Sequence, residues 1–324
     1  MIENQPSPVD EALGELRVTG SVLLFEGYKA PWAIRIEEEA CLRGALGLAG
    51  DARVIPFHYV RSGQFDLDHG GSTPMTVQAG EIAICPSGQP HRMSSGTGAE
   101  EVSILEVLRG RGEARKTRGE PASGEVTELL CGAFVLRNTD LNPLFLSLPP
   151  VVRISAGAES APRLNLVASM LEQEVAAERG AGFTACRLLE IFFAEAVQEI
   201  AVHEAQSRPG WYRGLSDPKL SIALKAFYAD PARAWTVQRL SGTVAMSPSR
   251  FAARFRETVG QSVMSYVAQW RMFVACRLLR AGDAELSSVA SAVGYDDLPS
   301  FSRAFKAIVG TSPGRWRTKA GEKT

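Results

Sequence analysis

The sequence predicts an α+β protein, a β-rich N-terminal region of small-barrel kind with helices behind it, joined to an all-α final third. Three observations carry this. Short apolar or alternating runs recur through the first 136 residues with turn-forming residues between them. After Leu148 the apolar spacing changes to the helical period. In the last third, two segments fifty residues apart repeat one pattern. The 324 residues, 45% hydrophobic and 22% charged, hold enough apolar material for two cores and exclude a mainly disordered chain.

In order along the chain, VLLFE (22–26), RVIPFHYV (53–60), EIAICP (81–86), EVSILEVL (101–108) and LLCGAFVL (129–136) read as strands. Gly, Pro, Asp and Ser cluster between them, as in DLDHGGSTP (66–74), which suggests a sandwich or small barrel. RGRGEARKTRGEPASGE (109–125) is polar and without period, and reads as an exposed loop. From Arg163, Leu164, Val167, Met170, Leu171 and Val175 keep helical spacing. A second helix carries Cys186, Leu189, Phe192, Phe193, Ala196, Val197 and Ile200 on one broad face. That face is wide for a helix that only covers a sheet, so Leu189, Phe192, Phe193, Val197 and Ile200 are expected to contribute to a homodimer contact. QSRPGWYRG (206–214) breaks the helix. The domains expected are 1–160 (β-rich), 161–208 (helical, dimerisation or linker) and 215–320 (helical).

FAARFRETVGQS (251–262) and FSRAFKAIVGTS (301–312) both fit F-x3-F-[RK]-x2-V-G-x-S. Each follows a short helical pattern and a polar turn, the picture of two helix-turn-helix units. The Phe pairs at i and i+4 point inward together, and Gly260 and Gly310 stand where helices end. VMSYVAQWRMFVACRLLR (263–280) between them reads as one helix of about 27 Å at 1.5 Å per residue. That length approaches the ~34 Å between successive major-groove faces of B-DNA.

The net charge of −1 conceals an asymmetry. Residues 1–210 carry 18 Lys and Arg against 28 Asp and Glu, whereas 211–324 carry 17 against 8. A basic helical third points to an anionic partner. The five cysteines lie at least 44 residues apart, which argues against a disulfide framework or a zinc module of CxxC type. The N-terminus has no apolar signal region and no stretch approaches 18 apolar residues, so a cytoplasmic protein without a membrane span is expected.

DPARAWTVQRL (230–240), AMSPSRFAARFRETVGQS (245–262), WRMFVACRLLRAG (270–282) and VASAVGYDDLPSFSRAFKAIVGTSPGRWR (289–317) together resemble the DNA-binding domain of the AraC/XylS family of bacterial transcription regulators. The resemblance covers roughly 216–318. It implies two recognition helices, Pro248 to Thr258 and Leu298 to Val309, in adjacent major grooves. By position, Ser249, Arg250, Ala252 and Ala253 of the first, and Leu298, Pro299, Ser300 and Arg303 of the second, lie nearest the bases. Ala252, Ala253, Leu298 and Pro299 are poor readers of base edges, so readout falls mainly to Arg250 and Arg303, with phosphates and DNA shape supplying the rest. Arg256 and Lys306 are assigned to phosphates, although long basic side chains also simply cover helix surfaces. Trp235, Trp270 and Trp316 are expected to be core anchors.

GEIAICPSGQPH (80–91) fits G-x5-P-x-G-x2-H and is similar to the second motif of the cupin β-barrels. The first cupin motif supplies two further His and a Glu. Here FHYVRSGQF (57–65) offers His58, with Val60 and Gln64 where other ligands would fall. A barrel whose metal site has become an effector pocket at His58, Gln64 and His91 is therefore favoured, with no cofactor. A metal at His58 and His91 is the lesser reading, and Cys85 is expected to pack in a strand.

The whole chain thus resembles AraC-type regulators with an N-terminal cupin-like sensor. This implies a dimeric DNA-binding regulator answering to a small molecule or stress signal, with RNA polymerase as a further partner where it activates. The alternative is a metal-dependent cupin enzyme, a dioxygenase or isomerase, carrying a DNA-binding domain. The incomplete ligand set speaks against it, as does the lack of a nucleophile–base constellation. An architectural DNA-binder would leave the barrel without a role.

Overall fold

The computed structural model describes residues 8–48, 52–70, 73–110, 126–139, 141–146, 148–157, 159–177, 182–282 and 284–321. The chain forms two compact units. One comprises Leu16–Arg137 and Leu148–Ile200, and the other comprises Met1–Glu15, Asn138–Ser147 and Ala201–Thr324.

After helix α1 (Pro8–Gly14), the β unit runs through β1 (Arg17–Lys29), β2 (Trp32–Ile36), α2 (Glu39–Ala45), β3 (Arg53–Ser62) and β4 (Gln64–Asp68). It continues with β5 (Met75–Gln78), β6 (Glu81–Ile84), β7 (His91–Ser95), β8 (Glu101–Ser103), α3 (Ile104–Leu108) and β9 (Val126–Arg137). Then follow α4 (Pro143–Leu146), which with α1 belongs to the other unit, β10 (Val152–Ser155), α5 (Pro162–Ala176) and α6 (Phe183–Ser207), which passes into the other unit at Ala201. The strands make two five-stranded sheets, ordered β1-β9-β3-β6-β10 and β5-β4-β7-β2-β8. Every pairing is antiparallel except β2 with β8. Of the segment 109–125, residues 111–125 lie outside the described residues. EVSILEVL does not stay extended: Ser103 caps a short helix by accepting a hydrogen bond from the Leu105 N–H at 3.1 Å.

Alternation along a strand sends successive side chains to opposite faces. On β3, Val54 and Val60 enter the interior with Tyr28, Ile34, Phe65 and Met93. Phe57 points the other way. Its ring stacks on Phe134 of β9 at 4.6 Å and meets Phe192 of α6 at 5.5 Å. Phe57 stands opposite Gly132 in the β3–β9 register, and a Cβ there would lie 2.6 Å from its ring.

This second apolar face corrects the dimer expectation. Leu189, Phe192, Phe193, Val197 and Ile200 each expose 3% or less within the chain. Phe192 and Phe193 pack on Phe134, and Leu189 packs over Gly20 of β1. The face is wide because two apolar sheet strands have to be covered, and these five residues are core.

The helical unit contains α7 (Trp211–Ser216), α8 (Leu220–Ala229), α9 (Val237–Gly242), α10 (Pro248–Val259) and α11 (Val263–Arg280). It ends with α12 (Leu286–Ala292), α13 (Leu298–Val309) and α14 (Pro313–Gly321). The pairs α9–α10 and α12–α13 are the two helix-turn-helix units. Phe251, Phe255, Phe301 and Phe305 are buried, and Trp235, Trp270 and Trp316 are core as expected. α10 and α13 each begin with a Pro in the first turn and end on a left-handed glycine, Gly260 at φ +84 and Gly310 at φ +85. α11 spans the 18 residues read from the sequence and is buried along most of its circumference, from Val263 and Tyr266 to Cys276 and Leu279.

Candidate nucleic-acid interface and candidate sensor site

α10 and α13, the second helices of the two helix-turn-helix units, each turn one face outward. With the Phe pair of each helix turned inward, Ser249, Arg250, Ala253 and Arg256 of α10 are exposed and Ala252 is half-buried. On α13, Leu298, Pro299, Arg303 and Lys306 are exposed, whereas Ser300 is half-buried. Arg303 donates to Ser300 Oγ at 3.0 Å, which holds its guanidinium near the helix start. Asp297 caps α13 by accepting from the Ser300 N–H at 2.7 Å, and that hydrogen bond holds its carboxyl below the ordinary range. Ala252 and Ala253 leave a cavity of about 360 Å³ beside α10, lined also by Val237, Arg256 and Met264. α10 therefore offers Ser249 and Arg250 at its N-terminal end and little hydrogen-bonding reach in its middle.

Two arginines that no sequence motif marks, Arg254 and Arg271, take structural places. Arg254 pairs with Asp217 at 2.7 Å, so it ties α10 to the start of α8. Arg271 of α11 donates to three carbonyls: Pro231 at 2.9 Å, Arg233 at 2.9 Å and Gly294 at 3.3 Å. Gly294 has φ +81, and a Cβ there would lie 2.5 Å from the guanidinium. Arg271 thus fixes both the lead-in to α9 and the turn between α12 and α13. Its neighbours are distant in sequence, so no local pattern announced it.

In the β unit, the cupin-like motif forms a turn and a strand start. Gly80 (φ +78) and Gly88 (φ +64) take left-handed conformations that other residues adopt at a cost. Gly80 N–H donates to the Val60 carbonyl at 2.8 Å, and Gly88 N–H donates to the Cys85 carbonyl at 3.1 Å. These bonds set β6 beside β3 and deliver His91 to the first position of β7.

His58 projects from β3 of one sheet and His91 from β7 of the other, and their Nε2 atoms meet at 2.8 Å. Both are buried, at 2% and 4% exposure. His91 Nδ1–H donates to the Gln89 carbonyl at 3.0 Å, leaving its Nε2 with a lone pair. Burial pushes His91 down to about 4 and His58 well below the usual imidazole range, with the neighbouring His91 adding to the effect on His58. Both rings are therefore neutral near pH 7. His58 Nδ1 is buried and, among the described residues, has no hydrogen-bond partner.

Gln64 does not join them. It is exposed on β4, while Phe65 faces the core with its ring edge-on to His58 at 6.2 Å. A strand alternates faces residue by residue, and position 65 is the inward one. Cys85 was expected only to pack, yet its Sγ lies 3.6 Å from His91 Nε2. The donor atoms of His58, Cys85 and His91 fall within 4.8 Å of one another, all buried. Among the described residues no carboxylate belongs to this group, and Val60 and Gln64 supply none of the remaining cupin ligands.

Two five-stranded sheets around a buried motif histidine, followed by two helix-turn-helix units, have the architecture of a DNA-binding regulator with a cupin domain. The comparisons agree. The cupin family model matches residues 7–201, and a helix-turn-helix domain model matches 240–319. An AraC-like transcription regulator from Streptomyces lividans is 31% identical over 269 residues, covering 82% of this chain and 87% of that protein. The transcriptional regulator AlkR from Acinetobacter baylyi is 29% identical over 282 residues, 84% and 90% of the two chains. The chain belongs to the AraC-like transcription regulators, in the form that joins an N-terminal cupin domain to a C-terminal helix-turn-helix domain. It is a sequence-specific DNA-binding protein. Among the described residues, no helix is long and apolar enough to cross a membrane.

Proposed function

We propose that this regulator reads its operator with Arg250 and Arg303 as the main base contacts and Arg256 and Lys306 on phosphates, and that a chemical signal in the cupin interior sets its affinity for DNA. The observation that carries the first part is the matched pair α10 and α13. Each is 12 residues long and turns two Phe inward, and each leaves an Arg exposed on its first two turns, Arg250 and Arg303, while the exposed Arg254 of α10 is held by Asp217. What supports the second part is the neutral His58–His91 pair, which closes across the two sheets where a small change displaces a buried hydrogen bond. The reading includes no catalysis. Association of two copies on paired half-sites belongs to the same reading, through surfaces other than the buried face of α6.

The test is genomic occupancy mapping followed by operator titration with the full chain, with and without lysate metabolites. His58→Ala and His91→Ala should keep basal operator binding and lose the response. Turnover of a metabolite by the purified protein would instead favour the enzyme.

A further inference from the structure

We propose that His58, Cys85 and His91 form a centre for a thiophilic d10 cation, Zn²⁺ or Cu⁺, inside the cupin unit. The proposal deepens the sensor reading above and rests on it only for the consequence to DNA binding.

The donor set comes first. Two imidazole nitrogens and one thiol suit borderline and soft metals, whereas Mg²⁺ and Ca²⁺ require oxygen ligands that this cluster lacks. Next is spacing. With metal–nitrogen bonds of about 2.0–2.1 Å and a metal–sulfur bond of about 2.3 Å, a tetrahedral centre sets N···N near 3.3 Å and N···S near 3.6 Å. The Cys85 Sγ to His91 Nε2 separation is already 3.6 Å. The two Nε2 atoms at 2.8 Å need part by only about half an ångström.

Orientation is the third support. The Gln89 carbonyl fixes the proton of His91 on Nδ1 and aims its Nε2 lone pair into the cluster, the arrangement by which metal-bound histidines are oriented. His58 Nε2 faces that same lone pair. Without a cation, the contact requires the proton on His58 Nε2. A cation between the two nitrogens removes the need for that proton. On binding, Cys85 releases its thiol proton to solvent and the sulfur bonds the metal. The proton of His58 Nε2 moves to its Nδ1, so one proton leaves per ion bound. Phe65, Leu67 and Met93 belong to the apolar core around the site and keep it dry.

Cys131 provides the control. It stands opposite His58 in the β3–β9 register and is buried, yet it is not one of the three clustered donors.

The experiment uses the full chain, stripped with a chelator and checked for fold by near-UV circular dichroism. Zn²⁺ and, under anaerobic conditions, Cu⁺ are titrated against competing chromophoric chelators, and Co²⁺ serves as a spectroscopic probe. The expected result is one equivalent of Zn²⁺ or Cu⁺ per chain and a thiolate-to-Co²⁺ charge-transfer band. Cys85→Ser should abolish the band and weaken binding at least tenfold. His91→Ala should weaken it similarly, and Cys131→Ser should leave both intact. No stoichiometric ion, unchanged binding in folded Cys85→Ser, or loss confined to Cys131→Ser would overturn the proposal. Metal binding that leaves operator affinity unchanged keeps the centre and overturns the metal as the signal that sets DNA affinity. An operator response to a small molecule in a chain that binds neither ion does the reverse.

Discussion

Phe192→Ala separates a core helix face from a subunit interface. The Phe192 side chain is 1% exposed and its ring lies 5.5 Å from Phe57 and 6.0 Å from Phe134. Truncation removes a fully buried ring from a site where sheet and helix cannot easily collapse together, which costs about 3–5 kcal/mol. For a unit of this size each kcal/mol lowers the midpoint by about 2–4 °C, so the β unit should melt about 6–20 °C lower. Ile191, its neighbour on the outer side of α6, is 48% exposed, and Ile191→Ala should shift stability by no more than about 0.5 kcal/mol. The assay is thermal unfolding followed by near-UV circular dichroism, with sedimentation velocity on the same samples. A Phe192→Ala protein that melts with the wild type but sediments as a smaller species would refute the core assignment.

Four further outcomes follow from the same geometry. Arg250→Ala and Arg303→Ala should each relax preference at one or two base positions by about 1–3 kcal/mol, read by competition binding against single-base operator variants. Lys306→Ala should weaken all duplexes nearly equally; the reverse pattern would mean that α13 presents a different face. Asp297→Ala should destabilise α13 at pH 7 in a thermal melt. The native carboxyl is depressed, so its contribution is present above the unfolded value of about 4 and disappears as pH falls through its folded value, where the two proteins should converge. Gly132→Ala should cost about 1–3 kcal/mol in denaturant titration, because its Cβ would meet the Phe57 ring and the Ser21 carbonyl, both at 2.6 Å.

The helical unit was legible because its signals are local. The Phe pairs, the terminal glycines and the fifty-residue repeat each declare themselves within a dozen residues, and α11 came out with both ends where they were read. In the β unit the motif glycines and His91 could be read for the same reason. Strands β4 and β7 could not be, since QFDLD and HRMSS carry few apolar residues and take their place from partners far along the chain. Gln64 was misassigned by one position, which in a strand is the difference between core and solvent. The wide apolar face of α6 has its cover in the continuous apolar runs of β3 and β9, which bury side chains on both faces; sequence does not show that α6 is the element packed on the second face. Cys85 looked like a packing residue because its meeting with His58 and His91 joins three segments that only the two sheets bring together.

The central claim is that one chain reads DNA with two helices set into neighbouring turns of the same duplex face. Hydroxyl-radical footprinting of the full chain on its mapped operator tests this directly. For each bound chain, two protected patches about one helical turn, ~34 Å, apart on one side of the duplex are expected. The patch under α10 should fade in Arg250→Ala and the patch under α13 in Arg303→Ala. A single patch per chain, or protection distributed evenly around the duplex and unaltered by either substitution, would contradict it.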